Sequence, residues 1–551
     1  MEVYQNYKKY RQYISEYPQW KEKRNNKEAK RQEYLKRHPE AMNHDDLQRS
    51  KALLHAIDVM DEYSQKNAED MEVATEMAAS QAIEFANLLG IGLGFLTMAL
   101  PQVKKGLNAL GNKYPKIGRG VQFLPVVLGY VASIIASFPI MAWAAKTQVG
   151  ASRQGRFEAM RTDLKNPNSF AVLTEDQIKK AKEDAKSIVL SEEKDKKDLI
   201  NFGFKETFKN LKKLIKKDKI YESQKAAFEA QLNENQKHFN DPISEKDIKK
   251  AKRDQQLLTK LVEKIDIASQ DYAENVEMAT NIVQGSAFAG GVFTGWLAKK
   301  AAKLFRMNPA NKITQVLPYF VGIMVTLPVT IFAAKIQKQA ARVGRFKERQ
   351  ELLKNPQILV YVDDKKADAI QDAKPLEEKK KPGFIKFLIQ AYKDNKIYEA
   401  YMKKEGIEDK KLHKAIDNLQ LSEAQLKEAK ALQQNTFKTF NKVDEKSQTY
   451  AESVEALGQS IQIPIALFGS LLGMGLAFLF NRQLIRNPAK VNDKNRMNIM
   501  TGVIGKALTG MIAGLAPVFV TEYYITKEQK KASRVADMLA IKELNDYRHF
   551  V

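Results

Sequence analysis

Carboxylates and bases recur along this 551-residue chain at fixed spacings. An Asp-x-x-Ser-Gln-x-x-Ala-Glu-x-x-Glu string occurs three times. It reads Asp61, Ser64, Gln65, Ala68, Glu69, Glu72, then Asp266, Ser269, Gln270, Ala273, Glu274, Glu277, then Asp444, Ser447, Gln448, Ala451, Glu452, Glu455. A basic string follows each copy after about 60–75 residues: Lys146, Gln148, Ala151, Ser152, Arg153, then Lys335, Gln337, Ala340, Ala341, Arg342, then Lys527, Gln529, Ala532, Ser533, Arg534. On a helix the Asp, Ser, Ala and Glu of each acidic string share one face, and so do the Lys and Arg of each basic string.

Two kinds of chemistry suit that arrangement. Opposite charges on antiparallel neighbouring helices form ion pairs that set register, and the spacing predicts Glu72–Arg153, Glu277–Arg342 and Glu455–Arg534. Exposed pairs of this kind contribute only about 0–1 kcal/mol each, so they would specify geometry more than stability. Alternatively, three acidic faces converging on one axis would make a cation vestibule, since rings of carboxylates select cations in channels. The adjacent basic string in every copy favours pairing. One position breaks the pattern: Asp537 stands where Arg156 and Arg345 stand in the other copies, which would leave Glu452 without an equivalent partner.

Other chemistries are excluded or unsupported. The chain has no cysteine, which removes disulfides, thiolate metal sites and cysteine nucleophiles. Its six histidines have no zinc-type spacing. There is no phosphate-binding glycine loop, no His-Glu-x-x-His and no serine nucleophile elbow. Neither an enzyme nor a cofactor is expected.

The elements that must position these strings are legible as well. The mean hydropathy of −0.45 averages two populations, charged segments and apolar runs. The runs are Ala82–Leu100, Val121–Ala145, Ile282–Ala298, Ile313–Ala334, Ile461–Phe480 and Ile499–Val520. A spanning helix needs roughly 20 apolar residues, which these meet or approach. They pair into hairpins over 82–145, 282–334 and 461–520, each between an acidic and a basic string. Only Glu84 and Lys506 put charge inside them. Helical periodicity marks the segments between, as at Leu257, Leu258, Leu261, Val262 and Ile265. The short stretches 170–173 and 358–362, each after an Asn-Pro, are the only plausible strands. The expected fold is therefore all-α: a polytopic membrane protein of three repeats (1–165, 166–354 and 355–551), each a charged helical, coiled-coil-like segment with a two-helix hairpin, making six spanning helices.

Net charge is +24, with bases concentrated at the hairpin tips, such as Lys104, Lys105 and Lys113. Short basic loops belong on the cytoplasmic side. The basic exits at Lys335, Lys338 and Arg342, and a polar N-terminal segment lacking a secretory signal, argue the opposite way. The balance places the N-terminus in the cytoplasm and the chain in a plasma or inner membrane. The lipid bilayer, with its anionic headgroups, is the expected partner, alongside a protein partner the sequence does not identify. No nucleic-acid module is present. The expected role is a membrane-anchored scaffold presenting charged helices; the alternative is a pseudo-threefold channel or transporter for an ion or small solute.

Overall fold

A computed structural model describes residues 2–113, 150–162, 164–190, 242–304, 339–376, 384–480 and 523–551, with scattered positions between (125, 128, 132, 212, 216, 219–221, 223–230, 232, 328, 332–333, 336–337 and 521). Its architecture is all-α. Three long helices dominate: His44–Ala99, Glu245–Leu304 and Glu423–Phe480, of 56, 60 and 58 residues. At about 1.5 Å per residue each is roughly 84–90 Å long. Each carries an acidic string at mid-length and continues unbroken into the odd-numbered apolar run that follows it. Their starts are capped by side chains. The Asn43 carboxamide accepts from the Asp45 N–H at 3.0 Å, Ser244 Oγ from Asp247 at 3.2 Å, and Ser422 Oγ from Gln425 at 3.3 Å.

The basic strings lead into three return helices, 150–162, Ala340–Lys354 and 523–543. Each packs beside the long helix of its own repeat. At Gly155 the approach is so close that an added Cβ would lie 2.8 Å from Asn67 Cβ and closer still to the Tyr63 carbonyl. At Gly344 it would meet Tyr272 Cβ at 2.5 Å and the Ala268 carbonyl oxygen at 2.7 Å. Tyr63 and Ala268 occupy equivalent positions in the two repeats, as do Asn67 and Tyr272, so the packing is repeated with the sequence.

After the return helix each repeat makes a 3-10 turn: Pro167–Phe170, Pro356–Leu359 and Tyr547–Phe550. The first two turns and the extended residues after them replace the strands expected at 170–173 and 358–362. No strand occurs among the described residues. An isolated run of about four residues lacks a pairing edge, and here the turn serves to insert an apolar side chain. Phe170, Leu359 and Phe550 are buried in one core shared by all three repeats. That core is layered by register: Ile57, Val262 and Phe440 form one set of equivalent positions, and Met60, Ile265 and Val443 the next, all buried.

The N-terminus closes the arrangement. Helix Glu2–Tyr13 packs on the third repeat, with Tyr10 buried among Tyr450, Val454, Ala532, Val535 and Met538. In the other repeats a tyrosine comes from the following segment instead: Tyr221 against Phe157 at 5.4 Å and Tyr398 against Phe346 at 5.6 Å. All three tyrosines end a Lys-x-Tyr string (Lys8, Lys219, Lys396). The first helix of the chain thus completes its last repeat.

Among the described residues no helix is long and apolar enough to cross a membrane. Runs Val121–Ala145, Ile313–Ala334 and Ile499–Val520 lie outside the described residues apart from scattered positions, as does Lys506. The side chains of Glu84 and of most of runs 82–100, 282–298 and 461–480 lie outside them too.

Candidate functional site: a polar ring between the three repeats

Ser and Gln stand next to each other in every acidic string, so on a helix they point about 100° apart. Each pair therefore addresses two neighbours. The serine serves its own return helix. Ser64 and Ser152 hydroxyls are 2.7 Å apart, Ser447 bonds Ser533, and Ser269 Oγ, which faces Ala341 instead of a serine, donates to the Ala341 carbonyl at 3.1 Å. The glutamine reaches the next repeat. Gln65 Nε2 donates to Ser269 at 2.9 Å, Gln270 Nε2 to Ser447 at 3.2 Å, and Gln448 Nε2 to Ser152 at 2.7 Å. Repeat one is tied to two, two to three, and three back to one. The ring is closed and pseudo-threefold. Its serines Ser64, Ser269 and Ser447 are 2 %, 2 % and 0 % exposed.

Each glutamine also donates to the Asp four residues earlier in its own helix: Gln65 to Asp61 at 3.4 Å, Gln270 to Asp266 at 2.9 Å, and Gln448 to Asp444 at 3.5 Å. Those aspartates line the three seams between repeats. In the seam between repeats one and two, Arg345 pairs with Asp61 and with Asp58 at 2.9 Å, and Arg349 adds a second cation 3.3 Å from Asp58. In the seam between three and one, Arg156 pairs with Asp444 and lies 5.5 Å from the centre of the Phe440 ring. Burial lowers the Arg156 guanidinium to about 10, which leaves it charged at neutral pH.

The shortest ion pairs of Arg153 and Arg534 run between repeats. Arg153 donates to Glu452 at 2.8 Å and to Thr449 at 3.0 Å, joining repeat one to repeat three. Arg534 donates to Asp271 at 2.9 Å and to the Gln270 carboxamide at 3.1 Å, joining repeat three to repeat two. Glu452, expected to lack a partner because of Asp537, is held by Arg153 instead. Burial, opposed by Arg153 and reinforced by neighbouring Glu455, raises the Glu452 carboxyl to about 7. The Glu72 side chain lies outside the described residues. Glu277, Arg342 and Glu455 sit on the same helices, and each is engaged in further interactions.

The seam between repeats two and three differs from the other two. Asp537 occupies the place of Arg156 and Arg345 and faces Asp266, so two carboxyls meet where the other seams have an ion pair. Burial first, and then the Asp266 charge, push Asp537 well above the usual carboxylate range, and burial raises Asp266 as well. Both belonged to recognisable repeat positions; what sequence reasoning missed was that the two positions meet across a seam.

A second charged layer lies nearer the helix starts. Arg49 and Asp254, at equivalent positions of the first two long helices, pair at 3.3 Å with both side chains 1 % exposed; Leu432 holds the third position. Half-buried His55 and His413 stack, and desolvation holds both imidazoles below their ordinary value, hence neutral at neutral pH. Among the described residues no group of three or more His, Asp or Glu side chains is placed to hold a metal ion. Comparison with protein-family models, curated proteins and solved structures finds no match.

Proposed function

We propose that this protein is a membrane-seated scaffold, in which the closed ring of helices clamps three apolar hairpins and presents a charged helical body on one side of the bilayer. The observation that carries this reading is the buried, side-chain-bridged axis. A conducting vestibule needs solvated carboxylates with charge to spare. Here the ring serines are buried, Asp61 and Asp444 are neutralised by arginines, and glutamine side chains bridge the repeats. A second observation supports membrane seating. On the distal part of the first long helix, Leu93 and Leu96 are 59 % and 66 % exposed, and Leu100 continues the same face. Ile282 and Ile461 are exposed on the other two long helices. Burying a leucine or isoleucine side chain is worth about 1.5–3 kcal/mol, so such a stripe fits hydrocarbon better than water.

The absence of cysteine makes the test direct. Single cysteines at Ser15, Asn112 and Thr207 are labelled with an impermeant maleimide in intact cells, and the membranes are washed with alkaline carbonate. The expected results are retention in the membrane and labelling of Asn112 on the side opposite Ser15 and Thr207. Release by carbonate would refute the membrane seating. Scaffold and channel are separated by flux in proteoliposomes. The scaffold reading expects none, and solute flux that changes when Glu72, Glu277 and Glu455 are all replaced by Gln would establish the channel instead.

A further inference from the structure

The three seams are equivalent by sequence register and unequal in charge. In the seam between repeats one and two, the carboxylates Asp58, Asp61 and Glu62 face the bases Arg342, Arg345 and Arg349, and Arg349 also holds Asp409 at 3.1 Å. In the seam between three and one, Asp444, Glu445 and Glu452 face Arg156, Lys225 and Arg153. In the seam between two and three, four carboxyls (Asp266, Asp271, Glu274 and Asp537) face two bases of the seam itself, Lys530 and Arg534, with Arg156 reaching Asp266 from the first repeat. Lys530 lies 3.0 Å from Asp271 and 2.8 Å from Glu274, and Arg534 lies 2.9 Å from Asp271 but 3.7 Å from Asp537. Asp537 is 1 % exposed, and with both acids ionised neither of its oxygens has a hydrogen-bond donor, although Ser447 lies alongside. Two carboxyls in contact, Asp537 buried and Asp266 half-buried, cannot both be ionised without a large cost, and a single shared proton satisfies both.

We propose that the Asp266–Asp537 contact is a proton-binding site that latches repeat three to repeat two: the seam is shut while one proton is shared between the carboxyls and loosens when that proton is lost. The proton is taken from solvent onto one carboxylate oxygen, which then donates to the other acid. Charged and polar groups face the pair from several packed elements: Gln270 of the second long helix, Ser447 of the third, Arg534 of the third return helix (itself paired with Asp271), Arg156 of the first return helix, and Tyr17 of helix Tyr17–Arg37 near Asp537. Tyr17, raised to about 12 by burial, stays neutral. The two arginines lower the cost of one ionised acid; the other keeps its proton.

The sign of the pH dependence follows from linkage. A carboxyl held above its unfolded value stabilises the fold fully below that unfolded value of 3.8 and loses the contribution as pH rises through its folded value. The experiment is thermal unfolding of the full chain in detergent micelles from about pH 5 to about pH 8.5, comparing wild type with Asp537→Asn and Asp537→Arg. The wild-type midpoint should fall by a few degrees across that range, on the order of what the loss of one buried contact produces. Asp537→Asn should flatten part of this fall, leaving the part due to Glu452 and the other carboxyls that burial raises, Glu62, Glu263 and Glu274 among them. Asp537→Arg, which restores the residue type of the other seams, should unfold above wild type at the alkaline end. Parallel profiles for wild type and Asp537→Asn would overturn the proposal. So would a wild-type midpoint that calcium raises at alkaline pH, but not in Asp537→Asn, since the pair would then hold a cation. If neither variant folds, infrared spectroscopy of the wild type decides. A protonated carboxyl C=O band persisting above the ordinary carboxylate range is expected, and its absence refutes the shared proton.

Discussion

Arg156 is the side chain whose removal should injure this fold most. Its guanidinium is 1 % exposed, its partner Asp444 is 6 % exposed, and the two join the first and last repeats. Replacing Arg156 with Met keeps most of the volume and leaves Asp444 charged and buried, with Gln448 at 3.5 Å as its remaining hydrogen-bond donor among the described residues. Breaking a buried pair in this way costs about 3–5 kcal/mol, because the surviving ion has lost both water and counter-charge. Adding Asp444→Leu removes that orphaned charge and should recover most of the loss. The equivalent change at Arg345 is the internal control. There the side chains of Asp58 and Asp61 are 24 % and 15 % exposed, and Arg349 remains 3.3 Å from Asp58. Partial solvation and a second cation should hold the loss to about 1–2 kcal/mol. Chemical unfolding of these three variants and of Asp444→Leu alone in micelles gives both the ranking and, through a double-mutant cycle, the coupling of Arg156 with Asp444. The reasoning fails if Arg345→Met costs more than Arg156→Met, or if the double variant is no more stable than Arg156→Met alone.

Two further outcomes are expected. Gly155→Ala and Gly344→Ala should each destabilise by more than about 2 kcal/mol, because the new methyl meets backbone atoms of the neighbouring long helix. Gly458→Ala should cost less, since its methyl meets only the Ile525 side chain, which can rotate; unfolding midpoints that reverse this order would contradict the packing. The Glu452 carboxyl, raised to about 7 by burial, favours the fold at acidic pH and loses that contribution as pH climbs from its ordinary 4.5 toward neutrality. Glu452→Gln should remove the part of the stability–pH slope that lies between those values, and an unchanged slope would assign the titration elsewhere.

The helical class and the core face of the second long helix followed from periodicity, because burial on a helix recurs every 3.6 residues wherever that helix packs, and the expectation of three repeats came from the recurring acidic and basic strings. Leu257, Leu258, Leu261, Val262 and Ile265 are all core residues, as their spacing requires. The acidic and basic strings were equally plain as helix faces lying side by side. Which partners they take was not. Each return helix lies between two long helices, its own and that of the adjoining repeat, and linear spacing measures distance only along its own hairpin. Arg153 therefore reaches Glu452 and Arg534 reaches Asp271, contacts separated by hundreds of residues that depend on the order in which the repeats close around the axis. Likewise Tyr10, in the first helix of the chain, finds its place only because the third repeat brings the two ends together. The substitution at Asp537 could be read from the alignment of the repeats; that it confronts Asp266 is a property of the closed ring.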